Sequence, residues 1–114
     1  MDIQRLLESL VEEFKTKRNA TVFIEDNILK VIYRSTKVAE VYRDGRIKLY
    51  SGNFHSATTK SRINDVLLLA RLSLGGHVRK GNTPMLSQRD FKWFVVTGKK
   101  RESFYEGITI NLEK

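Results

Sequence analysis

Ile3, Leu6, Leu7, Leu10, Val11 and Phe14 recur at the i, i+3, i+4, i+7, i+8, i+11 spacing of a single helical face, which predicts a first helix through "IQRLLESLVEEFKTKRN". Its ends obey the dipole rule: Asp2 falls in the first turn, Lys15, Lys17 and Arg18 in the last, and Asn19 is the expected stop. From Thr21 the period shortens. "TVFIE" and "ILKVIYR" are β-branched and aromatic runs with Asp26 and Asn27 as turn residues between them, so a hairpin is expected. A second hairpin lies in "KVAEVYRDGRIKLY". Closing it with a three-residue loop ending at Gly45 opposes Val41 to Ile47, Ala39 to Leu49 and Glu40 to Lys48. A two-residue loop would instead set Arg43 against Arg46 and Glu40 against Leu49. Matched cross-strand pairs contribute roughly 0.2–1 kcal/mol each, which selects the first register.

A second helix is expected from about Thr59 to Leu74, with Ile63, Val66, Leu67, Ala70 and Leu74 on one face. Leu68, Leu69 and Leu72 widen that face and point to deep burial, and Gly75-Gly76 is the expected stop. "RKGNTPMLSQRD", residues 79–90, holds the chain's one proline and no periodicity, so a surface loop is expected. "FKWFVVT" and "GITINLE" are further strands, the latter with Ile108, Ile110 and Leu112 on one face. "GKKRE" is a hairpin tip between them and "SFYEG" a short strand or bend. The order of elements implies an α+β fold: a mainly antiparallel sheet of about six strands with two helices packed on it, in a single domain spanning residues 1–114.

Composition narrows the chemistry. The chain has no cysteine and two histidines, which leaves no disulfide framework, no zinc-thiolate site and little basis for a histidine metal site; no metal or cofactor is expected. No apolar run approaches the roughly 18 residues of a membrane span, and the start of the chain is unlike a secretory leader, so the expected location is the cytoplasm. The net charge is +8. Residues 1–20 cancel internally, whereas between Gly45 and Arg89 eight bases face Asp65 alone, a local +7. An anionic partner follows: nucleic acid, a phosphorylated small molecule, or an acidic protein surface.

The candidate site is "TTKSRIND", residues 58–65. Thr58 or Thr59 suits an N-cap, but the acid of a capping box is missing, and Lys60 and Arg62 set positive charge against the positive end of the dipole, costing roughly 0.3–1 kcal/mol each. The functional reading makes the helix start an anion cradle of Thr58, Thr59, Ser61, Lys60 and Arg62, with His55 and Ser56 on the approach. The alternative is that the cations turn into solvent or pair with an acid such as Asp65. Arg79 and Lys80, beside glycines in "GHVRKGN", are added as phosphate contacts, although the Walker lysine spacing is absent. Trp93 and Tyr50 are candidates for stacking bases, and Lys99, Lys100 and Arg101 for a further phosphate contact. His55 has the chemistry of a general base but no partner constellation, and the serines lack a nucleophile elbow, so no enzymatic activity is expected.

"GRIKLYSGNFHSATTKSRIN" also resembles a segment of a family of small, mostly bacteriophage-encoded proteins of unestablished function, with Thr58, Thr59, Lys60, Arg62, Ile63 and Asn64 matching. "FYEGITI" is similar to that family's ending, so the resemblance covers residues 44–64 and 104–110. Phe54-His55 stands where the family has an aromatic-arginine pair. The resemblance implies a phage or mobile-element origin, in the host cytoplasm, and no activity. The expected function is a binding protein that engages nucleic-acid phosphates through the basic helix start. An inhibitor or adaptor that binds a host protein and a pocket for a phosphorylated small molecule are the alternatives.

Overall fold

The computed structural model describes residues 1–53, 55–74 and 83–112. The expected Gly75-Gly76 stop, and Phe54, lie outside the described residues. Two helices and eight antiparallel strands make an α+β fold. Helix α1 (Ile3–Phe14) is followed by β1 (Ala20–Glu25), β2 (Ile28–Tyr33), β3 (Thr36–Val41) and β4 (Arg46–Leu49). Then come α2 (Ala57–Ser73), β5 (Met85–Arg89), β6 (Lys92–Thr97), β7 (Lys100–Ser103) and β8 (Ile108–Asn111). The strands form two sheets, β1-β2-β3-β4-β8 and β5-β6-β7, in place of one sheet of about six strands.

The first sheet follows the hydrophobic alternation. Along β2, Leu29, Val31 and Tyr33 are buried and the residues between them are not, which is the period-two signature of a sheet with one covered face. The β3–β4 register is the one expected from pairing chemistry: Ala39 opposite Leu49, Glu40 opposite Lys48, Val41 opposite Ile47. Tyr42 donates its amide to the Arg46 carbonyl at 2.9 Å and Gly45 turns the loop at φ 91°. A bulge lies where Val31 pairs Ala39 but Ile32 pairs Lys37, leaving Val38 as the extra, fully buried residue.

Both helices contribute to the covered side. Ile3, Leu6, Leu10 and Phe14 of α1 and Ile63, Val66, Leu67 and Ala70 of α2 join Leu29, Val31, Val41, Ile47, Leu49 and Ile108 in one apolar cluster. Each such side chain contributes roughly 1.5–3 kcal/mol on full burial. The apolar stripes are narrower than the sequence suggests: Val11 is 52% exposed and Leu72 46%, with Leu68 also at the surface. Asp2 is not in the first turn of α1 but caps it, its carboxylate accepting the Arg5 amide at 3.1 Å. The helix ends at Phe14, so Lys15, Lys17 and Arg18 lie beyond its last turn, and Asn19 takes the left-handed conformation at φ 65°.

The part of residues 79–90 expected to be loop contains β5, which pairs with β6 across the two-residue turn Asp90-Phe91. Proline at 84 precedes the strand and does not interrupt it. Leu86, Trp93 and Val95 cover the inner face of the second sheet, and α2 closes over it. The Asn64 side chain of α2 accepts the Leu86 amide at 2.7 Å and donates to the Leu86 carbonyl at 3.1 Å, so one amide group takes the place of a neighbouring strand on the β5 edge. Replacing Asn64 with alanine leaves two part-buried backbone groups unpaired. We expect a loss of about 1–3 kcal/mol in urea unfolding, with faster hydrogen exchange at the Leu86 amide than in the parent. Unchanged stability and exchange would show that water replaces the clip without loss.

Candidate functional site

The path into α2 is fixed from the other end of the chain. The Glu106 carboxylate accepts the Ser51 amide at 2.9 Å, the Ser51 hydroxyl at 2.7 Å and the Gly52 amide at 2.6 Å. Burial opposes its charge, but these donors outweigh it and hold the carboxyl below the usual range. Gly52 has φ +66°, and a Cβ there would stand 2.7 Å from Thr36 Cγ2, so only glycine fits the turn. His55 then stacks on Trp93 with ring centroids 4.3 Å apart, and Phe104 meets both rings edge-on. Trp93 is buried and its indole Nε1 has no partner among the described residues, so it is a core residue and not a platform for bases.

The helix begins two residues before its expected start. Ser56, not Thr58 or Thr59, is the N-cap: its hydroxyl accepts the Thr59 amide at 3.1 Å and lies 2.7 Å from the Thr59 hydroxyl. Thr59 is thereby buried, with its hydroxyl bonded to that of Ser56. The two cations behave differently. Lys60 has no acidic partner among the described residues, and Thr58 and Ser61 beside it are exposed. Arg62 turns along the helix: its Nε is 3.3 Å from Asp65 Oδ2, outside hydrogen-bonding geometry, and its Nη2 donates to the Ser61 hydroxyl at 2.9 Å. Asp65 also accepts from Lys17 Nζ at 2.9 Å, and Lys17 reaches Glu13 at 2.7 Å. Glu13, Lys17, Arg62 and Asp65 form a neutral quartet tying α1 to α2. The charge at the helix start is therefore carried by Lys60, with Arg62 held in the ion pair that its i,i+3 spacing permits. Arg79 and Lys80 lie outside the described residues.

On the face of the first sheet turned away from the helices, each cation but one has an acid at hand. Lys30 pairs with Glu25 at 2.7 Å, Lys37 with Glu40 at 3.4 Å, and Arg46 with Asp44 at 2.7 Å. Lys48 and Arg46 lie near the Tyr42 ring, and Lys37 lies 4.6 Å from the centre of Tyr50. Burial pushes Glu40 up, but the Tyr50 hydroxyl at 2.8 Å and Lys37 outweigh it, leaving the carboxyl below its ordinary value. Burial, reinforced by Glu40, pushes Tyr50 up to about 12.

The outer face of the second sheet differs. Cross-strand register puts Arg89 beside Lys92, Phe94 between Ser87 and Ser103, and Val96 beside Arg101. Arg89, Lys92, Arg101 and Lys99 of the β6–β7 turn form no ion pair among the described residues, and Asp90 in the adjoining turn answers none of them. Ser87, Gln88, Arg89, Phe94, Val96, Lys99 and Arg101 line a shallow depression of about 660 Å³. The Arg101 guanidinium lies over the Phe94 ring at 4.9 Å. The sequence signal for this face was "GKKRE" with its three consecutive bases; the strand at 85–89 that completes the face had none. A cavity of about 390 Å³ lies elsewhere, lined by Arg71, Thr97, Lys100, Glu102, Thr109 and Asn111 among others. The buried Arg71 Nε has no hydrogen-bond partner among the described residues. Among the described residues no group of three or more histidines or acids could hold a metal ion, and no helix is long and apolar enough to cross a membrane.

Two measurements follow. Asp65→Ala leaves Lys17 and Arg62 side by side without their shared acid and should cost about 1–3 kcal/mol in urea unfolding. Lys60→Ala should stay within about 0.5 kcal/mol of the parent. For pH, Glu40 has its folded pKa below the unfolded value, so its contribution is present above about pH 4.5 and lost as pH falls through the folded value. A Glu40→Gln variant should flatten the decline in stability between about pH 5 and 3, measured by urea unfolding at each pH; a parallel decline would remove Glu40 from the acid limb.

The model of the family described as Kyanoviridae Gp96 protein matches residues 7–111, from α1 to the end of β8. No curated protein and no solved structure matches the chain.

Proposed function

We propose, from the premise that the chain belongs to the Kyanoviridae Gp96 family of phage proteins, that it is a non-enzymatic binding protein engaging nucleic-acid phosphates. The observation that carries this reading is the outer face of the second sheet, where Arg89, Lys99 and Arg101 line a depression and Lys92 stands opposite Arg89, with no acid paired to any of them among the described residues. Like charges gathered on one face repel in the absence of a ligand, and a polyanion relieves that repulsion while releasing its counterions. The helix start is a smaller second contact, offering Lys60, Thr58 and Ser61 to a phosphate, with Arg62 committed to Asp65.

The cavity beside Arg71 and Lys100 supports a second reading, capture of a phosphorylated small molecule. Two cations, two threonines and one acid line it, and Arg71 Nε is buried without a partner among the described residues. Calorimetry against a panel of nucleotides separates this reading from the first, since heat from a mononucleotide lost on Arg71→Ala would favour the cavity.

Binding of a labelled oligonucleotide should weaken steeply with salt. The slope of log K against log salt should be roughly −0.7 to −0.9 per phosphate contacted. Alanine at any one of Arg89, Lys92, Lys99 or Arg101 should shallow the slope by about one such step, with the thermal midpoint nearly unchanged. Affinity that ignores ionic strength, or no binding at low salt, removes the reading.

A further inference from the structure

The turn between β5 and β6 breaks the rule for its type. Asp90 and Phe91 both take left-handed conformations, at φ 52° and φ 65°. Two-residue hairpin turns of this kind select asparagine, aspartate or glycine, and a bulky aromatic there is under steric strain. Phe91 is also 92% exposed, the most solvated of the large apolar side chains given above. So exposed a ring gains little packing to offset the strain. The turn Asp90-Phe91 is flanked by Arg89 and Lys92, a cross-strand pair on the cationic face that forms no ion pair with Asp90.

We propose that this hairpin and the sheet face behind it form a binding site for single-stranded nucleic acid, with Phe91 as the stacking platform at its tip. The inference rests on the phosphate-binding reading above and narrows it to one substrate class. Cations alone accept duplex and single strand alike, because both present phosphates. An exposed aromatic gains from contact only with a base face that is not already covered by its neighbours in a duplex. A second platform lies along the sheet, where the Arg101 guanidinium over Phe94 offers a planar cation on which a base can stack. Residues Lys92 to Thr97 of β6 extend about 17 Å at about 3.3 Å per residue. Phe91 at one end and Lys99 at the other thus mark a track for a few nucleotides, near the lower limit of about 4 known for single-strand binding surfaces. Ser87 and Ser103, flanking Phe94, add hydroxyl donors along it.

The test is fluorescence anisotropy of the full chain at low salt with a labelled 15-nucleotide oligo-dT, its RNA counterpart, and a 15-base-pair duplex. The single strands should bind at least about tenfold more tightly than the duplex, and Phe91→Ala should weaken them by about tenfold while leaving duplex binding unchanged. Phe91→Asn separates binding from folding: asparagine accepts the left-handed turn, so its thermal midpoint should equal or exceed the parent's while single-strand affinity still falls. Duplex bound as tightly as single strand, with Phe91→Asn without effect, overturns this inference and leaves the phosphate reading standing. Tighter binding to duplex that depends on Phe91 overturns it in favour of a wedge between base pairs. No binding to any of the three at low salt overturns both, as does a nuclease-treated host-lysate partner whose capture Phe91→Asn abolishes in the absence of oligonucleotide binding.

Discussion

The Glu106 carboxylate holds together parts of the chain that hydrophobic burial alone would not align. It closes on the amides of Ser51 and Gly52 just after β4, while the Gly107 amide donates to the Leu49 carbonyl at 2.8 Å. Strand β8 is thereby set against β4, and the loop after β4 is set against Thr36, where Gly52 allows the approach. The direction of that loop decides where α2 begins, and α2 in turn carries Asn64 to the β5 edge. A charged acceptor receiving several backbone donors is among the stronger polar interactions a surface-proximal site can make. Here its effect is to pass position from the first sheet, through the helix, to the second.

The same chain of contacts explains most of the motif that carries the sequence resemblance. The two stretches involved, residues 44–64 and 104–110, are the ones that meet at the Glu106 clasp. Within "TTKSRIN", Thr59 is buried beneath the cap, Ile63 lies in the core, Asn64 clips β5, and Arg62 joins the quartet with Asp65. Thr58 and Lys60 are left without a structural task. Four of the motif's residues thus serve the fold, which leaves Lys60 as its unpaired cation, while more unpaired charge among the described residues lies on β5 to β7.

Much of the first sheet was legible in the sequence, because its register follows from pairing like with like: Val41 with Ile47, Ala39 with Leu49, Glu40 with Lys48. The core faces of both helices were legible for the same reason, up to the point where burial stops, since periodicity does not tell Leu72 on the rim from Leu67 beneath it. The start of α2 was misplaced by two residues because serine and threonine are comparable caps and three such residues stand in a row of four. Strand β5 was missed because "MLSQR" is half polar and its turn contains phenylalanine where a turn residue belongs. That omission hid the basic face too: a linear window counts Arg46, Arg62 and Arg89 together, whereas in space the first two meet Asp44 and Asp65 and the third meets Lys92.

Strain by itself does not mark a functional turn in this fold. Arg34 and Ser35, between β2 and β3, also take positive φ with residues ill suited to it, at 50° and 66°. There the local environment compensates: the Arg34 guanidinium lies 5.5 Å from the Tyr33 ring and its amide donates to the Asn19 carbonyl at 3.0 Å. The Asp26-Asn27 turn uses residues that favour the conformation and needs no compensation. Phe91 has neither form of relief. Its ring is in solvent, and Arg89 and Lys92 on either side of the turn form no ion pair among the described residues. Local preference and burial both run against the folded state at this one point, and the strain is carried by the pairing of β5 with β6 on either side of it.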